Sequence, residues 1–268
     1  MADSSLSGVA YRQIRRRLLR AAMPAGRKVS EHRLARELKM SRTPVREAIR
    51  RLESEGVLRQ VASSGTFVAT PDRQQLIDVA EVRMALESFA VGKTVERIRP
   101  AQMAELQASC DRMRTAARAF RDSGAAILDG APLRDYLAAD LAFHLLLLRV
   151  AGNRHATKLV TDSQMRSAMF GYRSHQRDLR HVARMWLYHA RIARAVRRRD
   201  ARRARLWLER HLQESLDTAL EAFDARRADG IPDAAPPPEL SEALEALIAD
   251  DEPKTPRPGR SRRKETTR

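Results

Sequence analysis

The chain has 268 residues, of which 43% are hydrophobic and 4% aromatic, and its formal net charge is +17. The hydrophobic fraction is sufficient for a folded core, whereas the scarcity of aromatic residues disfavours binding of single strands by base stacking. The excess of positive charge favours a polyanionic partner, either nucleic acid or an anionic surface. Cys110 is the only cysteine, which excludes a disulfide framework and a cysteine-based zinc site.

The sequence shows no targeting or membrane segment. Its N-terminus lacks the basic-then-apolar order of a signal peptide. The longest apolar run, LAFHLLLLRVA from Leu141, is interrupted by His144 and Arg149 and is too short to span a bilayer. We therefore expect a cytoplasmic protein without a membrane partner, and the lone cysteine fits a reducing compartment.

Composition and periodicity divide the chain into four parts. Residues 1–70 mix helical periodicity with a hairpin pattern, residues 71–76 form a linker, and residues 77–228 have helical patterns throughout. Residues 229–268 are rich in proline, then in acidic and finally in basic residues, which predicts a mostly disordered tail. The expected fold is mainly α, with a small N-terminal domain followed by an all-α antiparallel helical bundle.

The first part contains three predicted helices. Apolar residues from Val9 to Met23 recur at helical spacing, and Pro24 ends that pattern. Ser30 is suited to cap a second helix that runs to about residue 39. For the third helix, we expect Thr43 as the N-cap, Pro44 at the first helical position and Gly56 just past the end.

The third helix is followed by a hairpin. Val45, Ala48, Ile49 and Leu52 form an apolar stripe along the helix. The segment VLRQVASSGTFVAT then alternates in polarity around Ser64-Gly65, which predicts two strands joined by a tight turn. Helix, helix, turn, helix and β-hairpin is the order of a winged helix-turn-helix.

A second face of the third helix carries arginine. With the apolar stripe turned inward, Arg42, Arg46 and Arg50 project on another side, where they could bind guanine edges or phosphates in a major groove. The hydroxyls of Ser41 and Thr43 suit phosphate oxygens. A basic solvated face on an ordinary helix is the alternative, and the cap, proline, stripe and hairpin together favour DNA binding over it.

The segment VSEHRLARELKMSRTPVREAIRRLESEGVLRQVASSGTFVA closely resembles the DNA-binding domain of GntR-family bacterial transcription regulators. The helical remainder resembles the FCD domain of the FadR-type branch. His32 stands where the family often has arginine, so the phosphate contact expected there could be weak or depend on pH. The residues that pattern and resemblance together suggest for DNA binding are His32, Ser41, Arg42, Thr43, Pro44, Arg46, Arg50, Ser64 and Gly65.

Asp140 and His144 are four residues apart and share a helix face, while His189 and His211 fall on separate predicted helices. By spacing alone, a surface ion pair or a core histidine is the better explanation of each residue. The resemblance changes this interpretation, because FCD domains commonly bind a metal through an Asp-x-x-x-His pair and two later histidines. It implies a divalent transition metal, such as Zn, Ni or Mn, at these four residues.

The resemblance also implies a small organic-acid effector beside the metal. The segment EVRMALE at residues 81–87 resembles the start of the FCD domain, which makes Arg83 the first candidate for binding the effector's carboxylate. Asn153 and Arg166 are further candidates. An ordinary ion pair explains Arg83 equally well by spacing alone, and the remaining histidines, His155, His175 and His181, are expected to be solvated.

We therefore expect an effector-responsive transcriptional regulator, most simply a repressor, that binds an inverted-repeat operator as a homodimer. Six helical segments after residue 75 favour the six-helix, VanR-like form of the FCD domain. A sequence-nonspecific architectural DNA-binding protein is the alternative, since charge alone would serve it. A metal-dependent enzyme is less favoured, because the sequence has no nucleophile elbow, phosphate loop or HExxH motif.

Overall fold

The computed structural model describes residues 5–19, 22–70, 72–169 and 177–228, with only the backbone of residues 165–169. The predicted tail from residue 229 lies outside the described residues. The N-terminal region contains α1 (Leu6–Leu19), β1 (Lys28–Val29), α2 (Glu31–Leu38), α3 (Arg42–Ser54), β2 (Leu58–Val61) and β3 (Gly65–Val68). The strands form an antiparallel sheet in the order β1-β3-β2. This arrangement is a winged helix-turn-helix, which confirms the expected fold of this region.

The apolar stripe of α3 anchors it to the rest of the N-terminal region. Val45 and Leu52 are fully buried, and they join Ile14 of α1 and Leu34 of α2 in one hydrophobic cluster. The opposite face, which carries Arg42, remains exposed. Burial of one face and exposure of the other therefore fix which side chains α3 can present to a partner.

The start of α3 differs from the prediction. Ser41, rather than Thr43, is the N-cap residue, and its backbone is extended although its side chain makes no capping hydrogen bond. Pro44 therefore lies within the first helical turn, where the missing N–H costs nothing because the first amides of a helix have no partners within the helix. The predicted helix end is confirmed, since Gly56 follows it with a φ of +70°.

The two-residue strand β1 was not predicted. Val29 of β1 pairs with Thr66, while β2 pairs with β3 in the register Leu58 to Val68. Two residues are too few to show the alternation by which a strand is detected. The hairpin of β2 and β3 around Ser64-Gly65, in contrast, is confirmed.

The C-terminal region is a bundle of six helices in the part of the chain described, which agrees with the prediction. They are α4 (Arg73–Arg97), α5 (Pro100–Ser123), α6 (Gly130–Ala151), α7 (Arg154–Met169), α8 (Leu179–Arg197) and α9 (Ala201–Ala228). Helix α4 packs against α6 and α9, and α5 packs against α6 and α8. Among the described residues, no helix combines the length and apolar character that crossing a membrane would require.

Helix α6 lies at the centre of the bundle, and this placement positions the candidate site. Most of its residues are buried, including Ala139, Phe143 and Leu147. The long apolar run of the sequence is therefore a core helix. Asp140 and His144 lie on this helix, so their polar groups are buried in the bundle and require polar partners or a bound ion.

Several contacts join the N-terminal region to the bundle, among them the burial of Leu19 of α1 in the hydrophobic cluster of the bundle. Arg15 of α1 pairs with Asp162 of α7, with Nη2 and Oδ1 separated by 3.3 Å. Near the start of α4, Leu76 packs with Phe223 of α9, and Ala69 at the end of the wing packs against both. The position of the winged region is therefore coupled to α4, α7 and α9.

Candidate metal centre and nucleic-acid interface

The predicted metal ligands come together in the bundle. Asp140 and His144 of α6 meet His189 of α8 and His211 of α9, and one candidate ligand atom from each lies within 4.8 Å of the others. All four side chains are buried. Three helices that are distant in sequence therefore bring three imidazoles and a carboxylate to one point.

The spacing of these atoms fits a first-row metal ion. The Nε2 atoms of His144 and His211 are 3.1 Å apart, and His189 Nε2 lies 3.2 Å from Asp140 Oδ1. Metal–ligand bonds of about 2.1 Å place neighbouring ligand atoms about 3.0 Å apart in octahedral and about 3.4 Å apart in tetrahedral geometry. These two separations fall within that interval, whereas His144 Nε2 and Asp140 Oδ1 are 3.9 Å apart, closer to the roughly 4.2 Å between opposite ligands of an octahedral ion.

Hydrogen bonds at the far sides of two rings orient them toward the cluster. His189 Nδ1 donates to the carbonyl oxygen of Met185 at 2.8 Å, which leaves a lone pair on Nε2 when the ring is neutral. His144 Nδ1 donates a hydrogen bond to the carboxylate oxygen Oε2 of Glu87 at 2.6 Å, which leaves the Nε2 lone pair of the neutral ring facing the cluster. Such supporting hydrogen bonds typically orient metal-binding histidines.

Glu87 is a residue that the sequence analysis missed. It is buried on α4, and its Oε1 also pairs with Arg83 Nη2 at 2.9 Å. Burial alone would raise the pKa of Glu87, but Arg83 and His144 outweigh that effect and lower it to about 2. Its signal lay in the segment EVRMALE, where Glu87 and Arg83 are four residues apart and can pair on one helix face.

The remaining ring nitrogens support the same interpretation. Burial, followed by the neighbouring His189 and His144, holds the pKa of His211 well below its usual value, so this ring is neutral. His211 Nδ1 and His189 Nε2 are buried without a hydrogen-bond partner among the described residues, and the 3.2 Å approach of Asp140 lacks hydrogen-bonding alignment. Buried polar atoms without a partner are rare, and a cation would provide one for His189 Nε2.

A cavity of about 90 Å³ adjoins the cluster. Asp140, His144 and His211 line it together with Arg83, so the predicted effector-binding arginine lies beside the predicted metal ligands. The cavity is also lined by apolar side chains, including Leu76, Val79, Leu137, Met185, Leu212 and Leu216. Its polar groups can bind an anion, and its apolar walls can contact a short hydrocarbon portion of the same molecule.

The other two predicted effector residues, Asn153 and Arg166, are not among the residues described as lining this cavity. Asn153 is absent from its lining and instead caps α7, because its Oδ1 accepts hydrogen bonds at 3.1 Å from the amides of His155 and Ala156. We therefore do not retain Asn153 as an effector ligand. Arg166 lies on α7, and its side chain is outside the described residues.

Two residues that the sequence analysis did not assign also line the cavity. Arg177, which precedes α8, is 5% exposed, and His181 lies in the first turn of α8. Burial, followed by the charges of Arg177 and Arg184, lowers the pKa of His181 to about 4. The expectation that His181 is a solvated side chain is therefore wrong. His155 is exposed as expected, and His175 lies outside the described residues.

The predicted DNA-binding residues of α3 are exposed, with one exception. Ser41, Thr43 and Arg50 are exposed, and the side chains of Arg42 and Arg46 are 61% and 50% exposed. Pro44 is buried, so the prediction that it contacts DNA is wrong. Pro44 is four residues before the buried Ala48 and therefore lies on the buried face of α3.

A carboxylate from α2 joins the two leading arginines. Glu31 Oε1 accepts from Arg42 Nε at 3.0 Å and from Arg46 Nη2 at 3.1 Å, and Oε2 accepts from Arg46 Nε at 3.2 Å. The hydrogen bonds from Arg46, and then those from Arg42, lower the pKa of Glu31. Local sequence pattern does not predict this contact, because Glu31 is on a different helix from its partners.

The wing tip and α2 supply the other predicted contacts. Ser64 is exposed at the turn, and Gly65 has a φ of +107°, a backbone conformation that residues other than glycine rarely adopt. His32 is exposed at the start of α2. Ser64 and His32 are therefore accessible to a partner.

Comparison with known proteins agrees with this architecture. The model of the FCD domain matches residues 78–214, and the model described as bacterial regulatory proteins, gntR family, matches residues 6–68. The HTH-type transcriptional regulator YdhC of Bacillus subtilis is 23% identical over 178 residues, which are 66% of this chain and 69% of YdhC. The HTH-type transcriptional repressor RspR of Escherichia coli is 24% identical over 207 residues, covering 76% of this chain and 84% of RspR.

A solved structure shows the same fold. Escherichia coli McbR/YncC aligns with a TM-score of 0.64 at 20% identity, covering 82% of this chain and 100% of that chain. The similar proteins are transcriptional regulators rather than enzymes. Because the FCD match alone spans just over half of the sequence, and the gntR match covers the winged helix-turn-helix, the chain belongs to the GntR family of bacterial regulatory proteins, with a C-terminal FCD domain.

Proposed function

We propose that this transcriptional regulator is a homodimeric repressor whose affinity for an inverted-repeat operator is lowered by a small organic acid bound beside a metal ion. The observation that supports it most is the buried cluster of Asp140, His144, His189 and His211 at one wall of a cavity in a protein whose other region exposes a basic recognition helix. The proposed units are residues 1–70 for DNA binding and 77–228 for effector binding and dimerisation; of the predicted linker 71–76, residues 73–76 form the first turn of α4.

In the proposed complex, α3 enters the major groove with its N-terminal end first. Arg42 and Arg46 can each bind the two acceptors of a guanine, and Ser41 and Thr43 can bind phosphate oxygens. Arg50 lies one turn further along the exposed side and is suited to a phosphate. Ser64 and Gly65 of the wing approach the minor groove or the backbone, and His32 adds a weaker backbone contact.

The metal is proposed to be a divalent transition ion, with Zn, Ni and Mn as the candidates. Three neutral imidazoles and one carboxylate suit such ions, and four protein ligands leave room for a further ligand in an octahedral shell. The ion would supply a positive centre that binds the effector's carboxylate. Arg83 at the same cavity supplies a second positive group, held in place by Glu87.

The exposed face of α4 supports the proposed dimer. Val82 and Phe89 are 49% and 46% exposed, and Ala85 lies exposed between them. Counted along the helix from the point midway between Ala85 and Leu86, Val82 and Phe89 are equally distant. The acidic Asp78 and the basic Lys93 are likewise equally distant from that point. Two copies of α4 packed antiparallel about a two-fold axis would therefore match apolar with apolar residues and opposite charges. The partner proposed for this face is a second copy of the chain.

A route from the cavity to the winged region supports the regulatory part of the proposal. Leu76 lines the cavity and packs in the cluster that includes Ala69, the residue directly after β3. The amide of Ala69 donates to the carbonyl of Val57, between α3 and β2. An effector that displaces Leu76 would thereby shift the segment that holds α3 in place. It would change DNA affinity only by the difference between its affinities for the protein before and after that shift.

The experiment that tests DNA recognition is selection of duplexes from a random pool by the purified protein at fixed salt. The expected result is enrichment of an inverted repeat. Arg46→Ala should then weaken binding to that duplex by about 1–3 kcal/mol, whereas Arg118→Ala on the exposed surface of α5 should not. Equal affinity for the selected and random duplexes would instead indicate the sequence-nonspecific architectural protein.

A further inference from the structure

The contact between Glu31 and the two leading arginines of α3 carries an inference beyond the residues that touch DNA. The carboxylate accepts three N–H groups, one from Arg42 and two from Arg46. Glu31 is the first residue of α2. The N-terminus of this helix is capped by Ser30, whose hydroxyl oxygen accepts a hydrogen bond from the amide of Arg33. The backbone of Glu31 is therefore fixed on an element of the domain core, while its side chain reaches the recognition helix.

The choice of donor atoms is informative. An arginine has five N–H donors, and guanine can be bound by the pair at the end of the guanidinium, one on each Nη atom. Arg42 uses only Nε toward Glu31, and Arg46 uses the edge formed by Nε and Nη2. The end-on pair of N–H groups therefore stays available on both arginines, while the two-point contact fixes the guanidinium plane of Arg46 and one hydrogen bond restrains Arg42.

We propose that Glu31 is a specificity-determining positioning residue, which orients Arg42 and Arg46 for guanine and lowers their affinity for phosphate. This inference rests on the proposed DNA contact of α3. Two effects follow from one carboxylate. Holding two long side chains in one orientation favours the base contacts that need that orientation, and the negative charge weakens sequence-blind attraction to the DNA backbone.

An ordinary role for Glu31 must be separated from this one. An acidic residue in the first turn of a helix interacts favourably with the helix dipole, and any acidic residue near DNA lowers affinity for all sequences. Neither role changes the preference for guanine. The measurement must therefore compare sequences, rather than record affinity for one duplex or the stability of the fold.

The test uses the full chain with Glu31→Gln and, as a matched control, Glu47→Gln. Glu47 is exposed on α3 next to Arg46, and its substitution changes the net charge by the same amount. Binding is measured at fixed salt to the duplex selected by the wild-type protein and to a random duplex. We expect Glu31→Gln to lower the ratio of the two affinities by about 5- to 150-fold, the discrimination of one bidentate base contact, and Glu47→Gln to leave it unchanged.

A second arm examines the base contact itself by replacing guanines of the selected duplex with 7-deazaguanine, which lacks the N7 acceptor. The replacement should weaken binding by the wild-type and Glu47→Gln proteins. It should weaken binding by Glu31→Gln much less, because the arginines of that variant are no longer oriented toward guanine. Glu31→Asp, which keeps the carboxylate, should recover part of the sequence preference. Thermal unfolding of each variant confirms that the compared proteins are folded.

Two results would overturn the inference. If Glu31→Gln and Glu47→Gln change both affinities by the same factor, then Glu31 acts only through its charge. If Glu31→Gln strengthens binding to the selected duplex more than to random DNA, then Glu31 holds the arginines away from the bases. Failure of the wild-type protein to select any duplex would instead reject the proposed function before the variants are compared.

Discussion

Glu87→Gln should weaken metal binding without removing a metal ligand. Glu87 lies behind His144, whose Nδ1 is 2.6 Å from the carboxylate, and it is not a member of the four-residue cluster. Glutamine has nearly the same shape but no charge, and its amide can present either an oxygen or an NH₂ group to the ring. The substitution therefore removes the charged acceptor that fixes the orientation of His144 while leaving all four proposed ligands in the chain.

The magnitude follows from these interactions. Loss of a carboxylate that orients a metal-binding histidine typically lowers metal affinity by about 10- to 100-fold, or about 1.4–2.7 kcal/mol. The substitution also deprives Arg83 of its charged partner at 2.9 Å. Removing one partner of a buried ion pair lowers the free energy of unfolding by about 3–5 kcal/mol. The loss of stability here should be towards the lower value, because the Arg83 side chain is 14% exposed.

Metal affinity is best measured by competition with a chelator of known affinity, using the metal-free protein and one candidate ion at a time. Glu81→Gln is the matched control, because Glu81 is exposed on the same helix and the change in charge is identical. The reasoning would be refuted if Glu87→Gln and Glu81→Gln bound the ion as tightly as the wild type while His144→Ala no longer bound it.

Three further results are expected. His144→Ala combined with His211→Ala should leave the purified protein without the metal found in the wild type by elemental analysis, and a chelator should then cause no further drop in its Tm; His155→Ala is the control because His155 is exposed. Phe89→Lys should convert the dimer to monomers in sedimentation analysis, whereas Leu187→Lys, at a similarly exposed apolar residue on α8, should not, and an unchanged dimer in both variants would exclude the α4 face. Removal of residues 253–268 should reduce the salt dependence of DNA binding by about 0.9 in log–log slope for each phosphate that the tail neutralises, and an unchanged slope would indicate a solvating tail.

The sequence was sufficient to predict the elements that follow from local chemistry. The apolar stripe from Val45 to Leu52 predicted which face of α3 is buried, and the turn at Ser64-Gly65 predicted the hairpin. The spacing of Asp140 and His144 predicted a shared helix face, while only the resemblance to FCD domains connected that face with His189 and His211. Such a connection depends on how helices pack, and the periodicity of a single helix carries no information about it.

The roles of Glu87 and Glu31 were not predicted from the sequence, and the physical reason is the same for both. Glu87 acts on a histidine 57 positions away, and Glu31 acts on arginines from the next helix. A carboxylate near the surface of one helix has the same local pattern whether it faces solvent or a partner on a neighbouring helix. The N-cap of α3 was misplaced for a different reason, since Thr43 and Ser41 are both good caps and proline is tolerated anywhere in the first turn.

Both candidate sites share one construction, and it has consequences for selectivity. In each, a carboxylate from a neighbouring helix orients a group that would bind the ligand: Glu31 of α2 orients Arg42 and Arg46 of α3, and Glu87 of α4 orients His144 of α6. Neither carboxylate is among the proposed DNA-binding residues or metal ligands. Substituting a proposed ligand should weaken or abolish binding, because the group that binds is itself removed. Substituting the carboxylate should leave binding measurable but less selective, between guanine and other bases at one site and among metal ions at the other. The proposed ligands and the orienting carboxylates are therefore separable by experiment, since the carboxylate variants keep every proposed ligand and should still bind, with weaker affinity for the metal at one site and less preference for guanine at the other.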